Sequence, residues 1–63
     1  MTEGEYKAKI RKRGLTPYGP SIDGFTVHVD REQHTHSVPD GASLAAEGRA
    51  AFIELLDLLL GLG

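Results

Sequence analysis

The sequence contains no cysteine, and this absence removes two common supports of very small domains. Neither a disulfide framework nor a thiolate zinc site can hold its 63 residues together. A chain of this length buries only about 60% of the surface that it exposes when unfolded. We therefore expect one domain, residues 1–63, whose stability depends on good helix packing or on association with another chain.

The sequence also lacks segments that would direct it to a membrane. Its first thirteen residues are almost entirely polar, so they contain no apolar core of a signal peptide. The apolar C-terminal stretch is too charged to span a bilayer, because it contains Glu47, Arg49, Glu54 and Asp57. Together with the missing cysteines, these features predict a cytoplasmic protein with no membrane contact.

Motifs of catalysis and cofactor binding are absent as well. The chain has neither a glycine-rich phosphate loop nor a nucleophile elbow, and it has no HExxH zinc motif. We therefore predict no cofactor, and we favour a binding module over an enzyme.

The charges that are present lie unevenly along the chain. Net charge is −2, yet five of the seven basic residues fall within the first thirteen positions, and from Gly14 onward two basic residues face seven acidic ones. A chain with a basic end can attract a polyanion or an acidic protein. We therefore predict that five side chains contact nucleic-acid phosphates or another partner: Lys7, Lys9, Arg11, Lys12 and Arg13.

Residues 3 to 13 are predicted to form a helix. Thr2 and Glu5 have the spacing of a capping box, and Gly14 is typical of a left-handed helix end. Only Tyr6 and Ile10 form an apolar stripe, so this helix must dock on the rest of the domain to be stable.

The next segment has the pattern of a β-hairpin. Asp23-Gly24 is a strong two-residue turn signal, because a type I′ turn needs positive φ at both positions. Counting outward from the turn places six apolar side chains on one face and polar ones, among them Thr26 and His28, on the other. The predicted pairs are Ile22 with Phe25, Pro20 with Val27, and Tyr18 with Val29. Pro17 and Pro20 cannot donate hydrogen bonds, so the first strand is expected at an edge.

A third strand and a second helix complete the predicted fold. The strand covers about His34 to Val38, after a turn near residues 31–33, and Pro39 helps to end it. Ser43 is the expected N-cap of a helix that runs to about Leu60. The order is α-β-β-β-α, an α+β domain in which two helices pack on one face of a three-stranded antiparallel meander.

Three histidines and an aspartate lie within VHVDREQHTH, and their placement depends on the second turn. With an even turn, His34 and His36 share the apolar face and His28 lies alone on the other. With an odd turn, all four share the polar face: His28, His34, His36 and Asp30. That cluster could hold zinc or copper, or His28 or His36 could act as a general acid or base. The interpretation that we favour is that these are ordinary polar cross-strand residues, with no metal and no catalytic role; the metal site and the general acid or base are the alternatives.

The second helix is more apolar than one core requires. At 100° per residue, roughly 220° of its circumference is apolar, whereas a helix on a small sheet buries about half. The surplus predicts a partner surface, most simply the same helix of a second copy. The residues assigned to this homodimer or partner interface are Ile53, Leu56, Leu58 and Leu60.

The order of elements resembles that of HicA-type toxins, small mRNA interferases with a double-stranded-RNA-binding-like fold. The parallels are Gly14 after the first helix, Asp23-Gly24 before the second strand, and Ser37-Val38-Pro39 at the end of the third. In that family the catalytic histidine follows the glycine by two residues; here that position is Thr26, with His28 two residues further on. The resemblance implies RNA binding or cleavage, with His28 as the catalytic residue.

Two functions are therefore expected, in this order. The first is a non-enzymatic binding module, homodimeric through its last helix, that acts as a regulator or inhibitor. It would bind a protein or a nucleic acid through the basic helix or the polar sheet face. The alternative is a HicA-like RNA-binding or RNA-cleaving toxin module.

Overall fold

The structure of the protein is a computed structural model, and it describes residues 1–61. Two helices enclose a three-stranded antiparallel sheet in sequence order, so the predicted α+β class is confirmed. The elements are α1 (Glu3–Lys12), β1 (Thr16–Pro17), β2 (Phe25–Val29), β3 (Thr35–Pro39), a 3-10 turn (Gly41–Ser43) and α2 (Ala46–Leu59).

The first helix has the capping box predicted from the sequence. The Glu5 backbone N–H donates to the Thr2 hydroxyl at 3.1 Å, and the Thr2 backbone N–H donates to the Glu5 carboxylate at 3.0 Å. Gly14 follows the helix with a φ of +84°, a left-handed conformation that glycine adopts at little cost. Tyr6 and Ile10 are buried, so the narrow apolar stripe is the docked side of α1.

The hairpin between β1 and β2 contains the predicted turn but not the predicted register. Asp23 and Gly24 both have positive φ, 54° and 81°, and Ile22 and Phe25 exchange two backbone hydrogen bonds across them. Further from the turn the predicted pairing is wrong, because the Tyr18 N–H donates to the carbonyl of Val27, where Val29 was expected.

The physical reason for the shift is a bulge in the first strand. Thr16 pairs with Val29, whereas Ile22 bridges to Phe25, so the first strand has two residues more than β2 over the same span. Pro20 cannot donate to the ladder, and Gly19 has a φ of +104° that leaves the strand conformation. The regular part of β1 is therefore only two residues long, and it lies at the edge of the sheet, as predicted.

The turn between β2 and β3 has three residues, which is the odd alternative. Asp30 donates its backbone N–H to the His34 carbonyl at 3.0 Å, and Gln33 closes the turn with a φ of +70°. His28 consequently lies opposite His36. All four members of the histidine and aspartate group therefore share one face of the sheet.

The helices cover the sheet face that the alternation of polar and apolar residues predicts to be polar. We call this covered face the inner face. On β2 and β3 it carries Thr26, His28, His36 and Val38, of which His28 and Val38 are buried. The opposite, outer face carries Phe25 and Val27, and these remain 49% and 39% exposed. The apolar hairpin face is thus uncovered by residues 1–61, and the predicted polar contact surface lies largely beneath the helices.

The second helix begins later than predicted. Ser43 was expected as its N-cap, but its backbone N–H donates to the Asp40 carbonyl at 2.9 Å and the residue ends the 3-10 turn. Ala45 occupies the N-cap position, without a side-chain hydrogen bond. Across residues 1–61, no helix combines the length and apolar character that crossing a bilayer requires.

The core uses half of the residues assigned to the dimer interface. Ile53 and Leu56 are buried, so their side chains are unavailable to a partner and their assignment is corrected. Leu60 is partly buried against the core, and Leu58 is 71% exposed. The reason is that one stripe of α2 must cover α1 and the sheet. The buried apolar core comprises Tyr6, Ile10, Leu15, Val38, Ile53 and Leu56.

We expect the same substitution to have opposite consequences at two neighbouring positions of α2. Leu56→Ala should lower the free energy of unfolding by about 3 kcal/mol, because Leu56 is 1% exposed and its removal leaves a cavity. Leu58→Ala should change it by less than about 0.5 kcal/mol. Urea denaturation of both variants measures this, and a larger effect at Leu58 would contradict the orientation of α2.

Candidate functional site

An open cleft of about 470 Å³ lies between α1 and the inner face of the sheet. Its apolar lining includes Ile10, Leu15 and Val38, which belong to the core. Pro17 and the bulged segment 18–22 border it on the side of the first strand, where Gly19 and Ser21 line it. The cleft therefore combines an apolar interior with a polar rim, as ligand sites commonly do.

Docking of α1 separates the five predicted contact cations into two groups. Lys7 and Arg11, one helical turn apart, line the cleft. At 100° per residue, Lys9 and Lys12 lie on the other flank of the helix, and both are exposed. Only the first pair is placed to act together with the sheet.

Arg13, the fifth cation, holds the two helices together. Its Nε and Nη2 donate to the two carboxylate oxygens of Asp57, the second at 3.1 Å, and Nη1 donates to the Lys9 carbonyl at 2.8 Å. This bidentate pair, above all its side-chain hydrogen bonds, keeps the pKa of Asp57 below its usual range. Arg13 therefore has a structural partner and does not extend the rim of the cleft.

His28 is the buried polar residue at the wall of the cleft, 9% exposed. Its Nδ1 lies 2.9 Å from the Thr26 carbonyl oxygen, which only accepts, so Nδ1 carries the proton. Nε2 is then the acceptor nitrogen of the neutral ring. Within residues 1–61 Nε2 has no hydrogen-bond partner. Because every side-chain nitrogen or oxygen that is closed off from solvent in this part of the chain has a partner, Nε2 must be accessible to solvent.

A carboxylate stands at the end of the cleft beyond β3. Asp40 accepts hydrogen bonds from the hydroxyls of Ser21 and Thr26, the second at 2.7 Å. These two bonds lower the pKa of Asp40, and the nearby His28 and Lys7 add to the effect. The Ser21 contact also ties the bulged segment to the residue that follows β3, across the start of β2.

Tyr6 forms the base of the cleft at the same end. Its hydroxyl donates to the Pro39 carbonyl at 2.6 Å. Burial, with a smaller contribution from Asp40, raises the pKa of Tyr6 to about 12, so the phenol stays protonated at neutral pH. This bond joins α1 to the last residue of β3.

The remaining histidines form a separate group around Asp30. The Asp30 carboxylate lies 2.9 Å from Nε2 of His36 and 3.8 Å from Nδ1 of His34, and it accepts the backbone N–H groups of Glu32 and His34 at 2.9 Å each. His28 instead bonds to its own strand. Among residues 1–61, no three potential ligands are arranged to hold a metal ion.

Comparison with known proteins identifies no relative. No protein-family model matches the chain, and no curated protein or solved structure matches it closely enough to indicate a relationship. The resemblance to HicA-type toxins therefore stays a prediction based on the quoted residues and the order of elements.

Sequence reasoning identified three cleft residues but missed two others. Lys7, Arg11 and His28 were predicted contact or catalytic residues, and they line one cavity. Asp40, which directly follows β3, and Ser21, in the bulged segment, also line the cleft but were not predicted to have a functional role. The contact between Ser21 and Asp40 joins residues that are distant in the sequence, so sequence reasoning could not find it. The only local signal of a role for Asp40 is its position directly after a strand.

We expect Asp30 to make the protein sensitive to acid. Hydrogen bonds from His36, and next from the His34 backbone, lower the pKa of Asp30 to about 2. The unfolded state therefore binds more protons between pH 4 and 2, and the stabilisation present above pH 4 is lost as the pH falls through the folded pKa, about 2. Asp30→Asn, which keeps an acceptor oxygen, should flatten this loss.

Urea midpoints at pH 5 and at pH 2.5 measure the acid effect in both proteins. Asp23→Asn is the control, because Asp23 lies in the other turn and makes no side-chain hydrogen bond within residues 1–61. Equal losses in the wild type and Asp30→Asn would show that Asp30 does not carry the effect.

Proposed function

We propose that the protein is a small non-enzymatic binding module that holds one nucleotide unit in the cleft. The observation that carries this proposal is the convergence of Lys7, Arg11 and the open Nε2 of His28 on one cavity. The nucleotide is free or part of a single strand. A cytoplasmic location, expected from the sequence, belongs to the same proposal.

The size and lining of the cleft support a ligand of this class. Its volume of about 470 Å³ lies within the range of roughly 300–1,000 Å³ that small-molecule sites occupy. The apolar interior suits the faces of a base, and the two cations on α1 suit a phosphate. Nε2 of His28 accepts a hydrogen bond, so it suits an O–H or N–H group of the ligand.

The charges around the cleft favour one phosphate over a polyanion. Glu3 and Asp40 also line the cavity, so its two cations are accompanied by two carboxylates. A long phosphate backbone would meet these carboxylates, whereas a single phosphate can bind between Lys7 and Arg11. Neutralisation of one phosphate of a single strand gives a slope of log affinity against log salt of about −0.7, against about −3.5 for five phosphates.

Fluorescence anisotropy tests this proposal with a short labelled single-stranded RNA at about 50 and 200 mM salt. The double variant Lys7→Ala/Arg11→Ala should weaken binding at least about tenfold, because both phosphate contacts are lost. Lys9→Ala/Lys12→Ala makes the same change in net charge on the other flank. It should weaken binding less than about threefold.

Two further measurements distinguish the sources of the ligand. Unlabelled AMP should displace the strand if one nucleotide fills the cleft, and single-stranded DNA of the same sequence tests whether ribose is needed. Equal losses in the two double variants would show that general charge, not the cleft, attracts the strand. Absence of binding at 50 mM salt, to strand and AMP alike, would overturn the proposal.

A second candidate function is RNA cleavage, and the open nitrogen of His28 is the observation that favours it. An imidazole whose Nε2 has no hydrogen-bond partner within residues 1–61, in a cleft that two cations also line, has the components of a general base near a phosphate. This candidate is the activity that the resemblance to HicA-type toxins implies. Thr26, at the family's histidine position, lies on the same face as His28.

Cleavage of a fluorogenic RNA separates the two functions. If His28 is a general base, His28→Ala should lower the rate of cleavage by about a hundredfold or more, whereas binding of the uncleaved strand should weaken by no more than about tenfold, the effect of one lost hydrogen bond. His34→Ala is the matched control, since that side chain is 70% exposed and lies near Asp30. No cleavage by the wild type, or equal rates in the wild type and His28→Ala, would exclude the enzyme.

A further inference from the structure

The outer face of the sheet carries no charged side chain among the residues that the structure describes. On β2 and β3 it consists of Phe25, Val27, Val29, Thr35, Ser37 and Pro39. Tyr18 and Ile22 extend it across the first strand, because they lie opposite Val27 and Phe25. These two side chains are 67% and 65% exposed. The face is thus a continuous uncharged surface with apolar side chains at its centre.

This surface reverses the usual arrangement of a two-layer domain. A sheet with one covered face normally turns its apolar side chains toward the helices and its polar ones toward water. Here the inner face carries the buried His28 and the partly buried Asp30 and His36, whereas Phe25 and Val27 on the outer face are 49% and 39% exposed within residues 1–61. An exposed apolar surface of this kind marks an interface.

We propose that a second copy of this chain covers the outer face, by sheet-to-sheet packing about a two-fold axis. Near a two-fold axis, each residue lies against the same residue of the second copy. A charged side chain there would therefore face a like charge and be repelled. A face that associates with its own copy must therefore be uncharged near its centre. The outer face meets this condition. Threonine and serine at its edge can donate and accept hydrogen bonds, so they pair with themselves.

The outer face has apolar surface for such a dimer to bury. Its four large apolar side chains, Tyr18, Ile22, Phe25 and Val27, are 67%, 65%, 49% and 39% exposed. Removal of such surface from water is the main force that stabilises association. Two sheets packed face to face about 10 Å apart would give each chain a second apolar core.

The exposed stripe of α2 is the competing surface, and its charges disfavour it. Leu55, Leu58 and Leu59 are 49%, 71% and 68% exposed. On the helical wheel Glu47 and Glu54 border this stripe on one side. An antiparallel pair of such helices brings the two acidic flanks together, and like charges across an interface cost free energy. The outer sheet face has no such cost.

Sedimentation equilibrium over a range of protein concentrations tests the proposal. The wild type should form dimers, and Val27→Asp should shift the dissociation constant upward at least about a hundredfold, because it places two carboxylates near the axis. Leu58→Asp introduces the same charge on the α2 stripe and should leave the constant unchanged. Circular dichroism establishes that each variant is folded.

A disulfide trap gives a second measurement that does not depend on destabilising the interface. The chain has no cysteine, so Val27→Cys and Leu58→Cys each introduce a single thiol. Under mild oxidation, Val27→Cys should form a covalent dimer much faster than Leu58→Cys. A monomeric wild type at all concentrations, or dissociation and cross-linking that follow Leu58 instead of Val27, would overturn the proposal.

Discussion

The three-residue turn at positions 31–33 sets the register between β2 and β3, and the placement of side chains on the sheet depends on it. Because side chains alternate between the two faces, a turn one residue shorter would move all of β3 to the opposite face relative to β2. Gln33 supplies the left-handed conformation that closes the turn, and Asp30 accepts the backbone N–H groups of Glu32 and His34 within it. A local polar interaction thus decides which side chains face the helices.

The cleft and the uncovered outer face have one common origin in this register. Of the inner-face residues on β2 and β3, Val38 alone joins the apolar core, and its neighbour His28 must bond to the Thr26 carbonyl. Polar side chains that satisfy each other on the sheet do not fill the space beneath α1, so a cavity remains there. The apolar side chains of the same strands are turned to the outside. A domain with so small a core gains more than a larger one from covering that surface.

Features decided by neighbouring residues were predictable from the sequence, and features decided by distant contacts were not. The capping box, the left-handed Gly14 and the Asp23-Gly24 turn each depend on a few adjacent residues, and all three are present. The register of β1 was wrong because pairing outward from the turn assumed an uninterrupted strand, which Pro20 does not allow. The length of the second turn had two acceptable values in the sequence. For the site, the cations and His28 were found by residue type, but Asp40 was not, since its hydroxyl partners come from two other segments.

The first helix illustrates how docking gives different roles to chemically similar residues. Five cations within seven positions look equivalent in the sequence, yet Arg13 is held by Asp57 and only Lys7 and Arg11 reach the cleft. The reason is geometric: a helix that buries one stripe presents its two flanks to different surroundings, and each flank receives the charges at its own spacing. The net charge of the segment therefore overstates its attraction for a polyanion. In the proposed function, a pair of cations accompanied by two carboxylates would discriminate by position instead, because it would stabilise one phosphate between the cations and repel phosphates on either side.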